Sequence, residues 1–100
     1  MAAKKIFFEN YLDVPMYIFL RTNKGRLEIH VFDEQTVGVT EVGPSKRVAF
    51  DLSSLVGTCI RNNSLAFTLV GHNGKVRCTI SPGRHRLPEG PIFAISPVEN

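Results

Sequence analysis

Five cationic residues, Arg61, Lys75, Arg77, Arg84 and Arg86, lie in a stretch of chain, 53–88, that contains no aspartate or glutamate. His72 and His85 stand among them. Guanidinium groups grip phosphate and carboxylate oxygens in bidentate fashion, so the chemistry on offer is attraction of a polyanion, either a nucleic acid or an acidic protein surface. The expected contact set for such a polyanion or partner is Arg61, Lys75, Arg77, Arg84, His85 and Arg86. Single-strand binding also wants aromatic stacking platforms. The chain has no tryptophan, and Phe67 falls on an expected core face. A net charge of +3 sets the long-range attraction at a modest level.

Catalytic and metal chemistry find less support in the residue pattern. His30 and Glu28 share one face of an alternating run and read as a solvated pair, not a proton-transfer dyad. Asp51, Ser53 and Ser54 can be joined on paper to a histidine, but no nucleophile elbow or oxyanion loop accompanies them. His30, His72, His85, Cys59 and Cys78 lack the close paired spacings of zinc sites, and the glycines are scattered over turns instead of forming a phosphate loop. The segments 21–26 and 51–57 are each one residue longer than the RxxxR and DxSxxG elements of the cyclic-dinucleotide-binding PilZ barrels, a mismatch that turns side chains away from a ligand. The expectation is a non-enzymatic protein with no cofactor and no metal.

These residues sit on a chain whose apolar pattern has period two nearly throughout, the signature of half-buried strands. In 26–32, Leu27, Ile29 and Val31 share one face while Arg26, Glu28 and His30 share the other. Val48, Phe50 and Leu52 oppose Arg47, Ala49 and Asp51 in the same way. Turns at Asn23-Lys24-Gly25, Asp33-Glu34-Gln35 and Gly43-Pro44-Ser45 separate the strands by three to five residues and predict an antiparallel meander. Asn73-Gly74 suits a type I′ turn, and counting outward from it places Leu69 opposite Cys78 and Phe67 opposite Ile80. The run 91–96, opening on Pro91, predicts a last strand at a sheet edge. Helix is confined to one candidate turn at 53–57.

Two runs break the alternation. Ile6-Phe7-Phe8 and Met16-Tyr17-Ile18-Phe19-Leu20 are apolar on both faces and need cover on both. A second copy of the chain is the expected cover, with Phe7, Tyr17 and Phe19 as contact residues; a strand crossing between sheets is the alternative.

At 100 residues, 43% hydrophobic and 21% charged, the chain predicts one all-β domain of roughly eight short strands, an antiparallel β-sandwich, jelly-roll-like fold or small barrel. No apolar run is long enough to span a bilayer or resembles a signal peptide, so an intracellular protein with free thiols at Cys59 and Cys78 is expected. Self-association leads among the functions, with nucleic-acid or other polyanion binding next. Sugar binding is weaker, since Tyr11 and Tyr17 are the only candidate platforms.

Overall fold

A computed structural model describes residues 5–52, 60–61, 64–65, 67–71 and 78–98; at 60, 61, 64, 65, 67, 69, 71 and 83–86 the description is of the backbone. The described chain forms strands and no helix. The strands are β1 (Lys5–Asn10), β2 (Met16–Asn23), β3 (Arg26–Phe32), β4 (Thr40–Val42), β5 (Arg47–Asp51), β6 (Ile60–Arg61), β7 (Ser64–Leu65), β8 (Phe67–Gly71), β9 (Cys78–Leu87) and β10 (Gly90–Pro97).

Two four-stranded sheets carry the fold, one in the order β5-β1-β10-β9 and the other in the order β4-β2-β3-β8, with β6 and β7 as a separate short ribbon. Neither sheet closes on itself among the described residues, which removes the closed-barrel alternative. Alternation explains the core. Ile6 and Phe8 from β1, Ile80 from β9, and Phe93 and Ile95 from β10 meet Met16, Ile18 and Leu20 from β2, Leu27, Ile29 and Val31 from β3 and Val42 from β4 in one apolar cluster. Phe8 lies at its centre, stacked on Phe93 with ring centroids 5.4 Å apart and edge-on to Phe50 at 5.5 Å.

The pairing departs from a meander. β1 pairs in parallel with β10, and β3 in parallel with β8. β1 and β2 belong to different sheets, as do β4 and β5, so the turn at 43–46 bridges sheets instead of closing a hairpin. Asp33-Glu34-Gln35 is no hairpin either, because β4 passes to the far side of β2. The expected pairing of Leu69 with Cys78 and Phe67 with Ile80 is also overturned. β8 lies against β3, while Cys78 and Ile80 pair with Pro97 and Ile95 of β10. A turn constrains only its own neighbourhood, and two apolar-faced strands joined by it can each complete a different sheet. The Asn73-Gly74 turn and the candidate helical turn at 53–57 lie outside the described residues. The last strand is interior, between β1 and β9, and tolerates Pro91 because the β9 pairing is irregular there, between Pro91 and Phe93.

One hairpin matches its sequence signal closely. Asn23 pairs with Arg26, leaving Lys24-Gly25 as a two-residue loop with φ of 54° and 79°, the type I′ geometry.

Asn10 ties the layers together. It is buried, and its side-chain amide donates to the carbonyls of Val14 (2.8 Å) and Val42 (2.9 Å) while its Oδ1 accepts from the Leu12 amide (2.8 Å), an Asx turn. Its backbone amide donates to the Lys46 carbonyl and its carbonyl accepts from the Ser45 amide. That contact holds Ser45 at φ 60°, behind Pro44, in the turn closed by the bond from Lys46 to Gly43.

Replacing Asn10 by Ala should lower unfolding free energy by about 2–4 kcal/mol, because the Val42 carbonyl and the Leu12 amide lose their partners. Asn10→Asp, equal in size, should be no milder at neutral pH, since a carboxylate would face two carbonyls. Urea unfolding of the three proteins checks this, and a wild-type midpoint for Asn10→Asp would contradict it.

Candidate functional site

The outward face of the β4-β2-β3-β8 sheet carries the only described cluster in which aromatic, cationic, anionic and imidazole groups meet. Counting from the type I′ turn sets its rows. Arg21 faces Glu28, Phe19 faces His30 and Tyr17 faces Phe32, with Glu41 of β4 beside Tyr17 and Val70 of β8 beside His30.

Glu28 is the hub. Its Oε1 accepts from Arg21 Nε at 2.6 Å and from His30 Nε2 at 2.9 Å, and its Oε2 accepts from Asn23 Nδ2 at 2.8 Å. These bonds, with Asn23 and Arg21 contributing most, hold its carboxyl down at about 2 from an ordinary 4.5. An ionised carboxylate only accepts, so the His30 hydrogen must sit on Nε2. His30 is itself buried at 7% exposure and lies edge-on to Phe19, with ring centroids 5.6 Å apart. The expectation of a solvated His30–Glu28 pair is therefore corrected. Tight cross-strand packing against Phe19 covers the imidazole. Chemically the group is a scaffold, because a carboxylate with both oxygens engaged and so low a pKa is a poor base at neutral pH. Arg26 Nε extends the polar row to Thr68 Oγ1 at 3.3 Å.

Of the three residues expected at a subunit contact, Phe19 is the exposed one, at 40%. Phe7 is buried between its register neighbours Ala49 and Ile92, with the Arg47 guanidinium 5.7 Å above its ring. Tyr17 is buried as well, and that burial, together with the Glu41 carboxylate, raises its phenol above the usual value. Tyr11 is exposed, but its hydroxyl donates to Glu9 Oε1 at 2.6 Å, which raises its own pKa. Tyr11 and Tyr17 thus form no joint platform for a sugar.

Beside Phe19 opens a cleft of about 120 Å³, lined by Ile18, Phe19, Leu20, Gly38, Thr40, Phe50 and Asp51. It exists because β4 pairs with β2 only as far as Ile18. Beyond that point the chain turns away through Gly38, whose φ of 83° suits glycine, and Phe50 and Asp51 of the other sheet form the facing side.

The basic set is divided. Arg84, His85 and Arg86 are consecutive on β9, Arg61 is on the β6–β7 ribbon, and Lys75 and Arg77 lie outside the described residues. Cys78 is a half-buried free thiol whose pKa burial raises, which disfavours the thiolate; Cys59 lies outside the described residues. Among the described residues no three His, Cys, Asp or Glu side chains gather as a metal site, and no helix is long and apolar enough to cross a membrane.

No protein-family model matches the chain, and comparisons with curated proteins and with solved structures find no match.

Sequence reasoning took neither the Arg21–Glu28 row nor the cleft as a site. The row was within reach, because the Lys24-Gly25 loop fixes the count that opposes the two residues. The cleft was not, since it needs strands from both sheets.

The depressed Glu28 carboxyl makes a pH prediction. A folded pKa below the unfolded one contributes stability that is present above pH ~4.5 and is lost as pH falls toward about 2. Urea midpoints followed from pH 6 to 2 should fall more steeply for wild type than for Glu28→Gln over that window; parallel curves would assign the acid sensitivity elsewhere.

Proposed function

We propose that the protein is a non-enzymatic binding and assembly module that associates with further copies of itself. Its two sheets form an open β-sandwich with a jelly-roll-like path, supported by the single apolar cluster that draws side chains from both. The observation that carries the functional reading is Phe19. It stands 40% exposed where the β4 pairing has ended, on a sheet face where Tyr17 and His30 are buried, beside an open cleft. A large aromatic held rigid by its neighbours and left open to water is the usual anchor of a protein contact. The saturated Glu28 network supports a binding role over a catalytic one by fixing the face without offering a base. An intracellular setting accords with the free Cys78 thiol.

Sedimentation velocity tests the reading. Wild type should associate at micromolar concentration, and Phe19→Ser should weaken association by about tenfold or more while leaving the unfolding midpoint within reach of wild type. A strictly monomeric wild type at high micromolar concentration would falsify the proposal.

Polyanion binding is the second reading, favoured by the run Arg84-His85-Arg86 on the outer strand β9. It predicts that a labelled oligonucleotide binds with an affinity falling steeply with salt, and that Arg84→Glu with Arg86→Glu abolishes binding. Salt-independent or absent binding excludes it.

A further inference from the structure

β2 pairs with β3 from Tyr17 to Asn23 but with β4 only from Met16 to Ile18, so residues 19–23 form an open edge beside Phe19. The hairpin decides which backbone groups face that edge. Asn23 and Arg26 flank the two-residue type I′ loop and exchange both of their backbone hydrogen bonds, and such pairs alternate along an antiparallel ladder. Phe19 and Arg21 therefore bond to β3 as Asn23 does. The amides and carbonyls of Leu20 and Thr22 point to the open side, where no described strand meets them.

Residues 19–23, Phe-Leu-Arg-Thr-Asn, lack the proline, lysine or bulge that commonly blunts an edge. Arg21 is turned to Glu28, at 2.6 Å. The neighbouring chain is out of the way, because it bends off at Gly38 and leaves the cleft beside Leu20. Alternating unmet backbone donors and acceptors suit one kind of partner, another extended strand.

The open stretch fits a second copy of itself in one register. Thr40, opposite Ile18, bounds it at one end and the Lys24-Gly25 loop at the other. A two-fold axis at Leu20 would set the second copy's Thr22 opposite Ile18, where Thr40 already pairs. An axis at Thr22 would draw Lys24, at φ 54°, into the ladder. An axis at Arg21 meets neither obstacle. It pairs Leu20 with Thr22 of the second copy and Thr22 with its Leu20, both as hydrogen-bonded pairs. Phe19 then lies opposite the second copy's Asn23 and diagonal to its Arg21, whose methylene stem covers the exposed ring. Each Arg21 keeps its own Glu28, so the row across the axis, Glu28-Arg21-Arg21-Glu28, carries no net charge.

We infer that residues 19–23 are a self-complementary edge through which two copies join antiparallel, β2 against β2, with the axis at Arg21. The inference rests on the self-association reading and specifies its geometry. The contact is isologous, so assembly closes at two copies.

Sedimentation velocity and amide exchange on the full chain test this. Wild type should form a dimer and nothing larger. Relative to the Phe19 and Arg21 amides, those of Leu20 and Thr22 should exchange about tenfold more slowly at dimer-forming concentration than in dilute solution. Thr22→Pro removes an amide that faces away from β3, so it should be monomeric with a urea midpoint near wild type. Arg21→Cys should link two copies on mild oxidation beyond the wild-type level, because facing residues at the axis lie within disulfide reach. Asn23→Cys, about 14 Å from its counterpart, should not. Three results would each overturn this edge contact and leave self-association standing: a dimer whose Leu20 and Thr22 amides gain no protection, a folded Thr22→Pro that dimerises as wild type does, or Asn23→Cys linking as readily as Arg21→Cys. A wild type larger than two copies overturns the closed pair, and a monomeric wild type overturns both readings. If Thr22→Pro does not fold, amide exchange of wild type decides.

Discussion

The two sheets are held in place by one amide. Asn10 ends β1 in the first sheet, and its side chain reaches the Val42 carbonyl on β4 of the second, while its backbone grips the 45–46 peptide that leads into β5. Every buried polar atom of this residue must find a partner, because an unmet donor inside an apolar cluster costs more than the bond it replaces. The consequence is geometric. Apolar burial brings sheets together but is indifferent to sliding, whereas three directed bonds from one side chain fix where β4 ends relative to β1. Asn10 thus fixes the Val42 end of β4, while the cleft beside Phe19 opens at the Thr40 end, where the chain turns through Gly38.

Parallel pairing of β1 with β10 and of β3 with β8 is the second constraint. It brings residue 7 against residue 92 and residue 27 against residue 67, so most of the ordering is non-local. The strands that are apolar on both faces each lie inside a sheet, between two partners. Phe7 is enclosed laterally by β5 and β10, with the Arg47 stem and head above, and Tyr17 lies between Phe32 and Glu41. Phe19 differs because no β4 residue pairs beside it. The exposed aromatic is therefore a product of strand length and not of composition, since Tyr17 and Phe19 are indistinguishable by pattern.

Those particulars show what was legible in the sequence. Period two in 26–32 and 47–52 gave true strands, and the turn expected at Asn23-Lys24-Gly25 joins a true hairpin, because both signals are local and the physics that sets them acts over a few residues. Counting outward failed from Asn73-Gly74. It assumed that consecutive strands pair, and a strand's alternation reports that one face is buried without reporting which sheet buries it. Pro91 misled for a related reason, since proline forbids a regular ladder position and the sheet supplies an irregular one. For the site, His30 and Glu28 were visible as same-face neighbours, but their burial depended on Phe19 packing across the strand pair. The basic character of 53–88 was visible as composition, and its partial concentration on an outer strand was not.

Charge segregation along the chain acquires meaning only through this topology. From β1 to β5 the chain holds seven acids and six cations, and from β6 to β9 five cations and no acid. In a meander, sequence neighbours are space neighbours and such halves would meet along a shared border, neutralising each other. Here β1 and β10 are inserted between β5 and β9, so β9, with Arg84 and Arg86, lies at the edge opposite β5, where Arg47 and Asp51 balance. Lys5 of β1 pairs with Glu89 at 3.5 Å, and Arg47 of β5 pairs with Glu9 of β1 at 3.6 Å. The two edges of that sheet therefore differ in charge, a difference that strand order produces and composition alone does not.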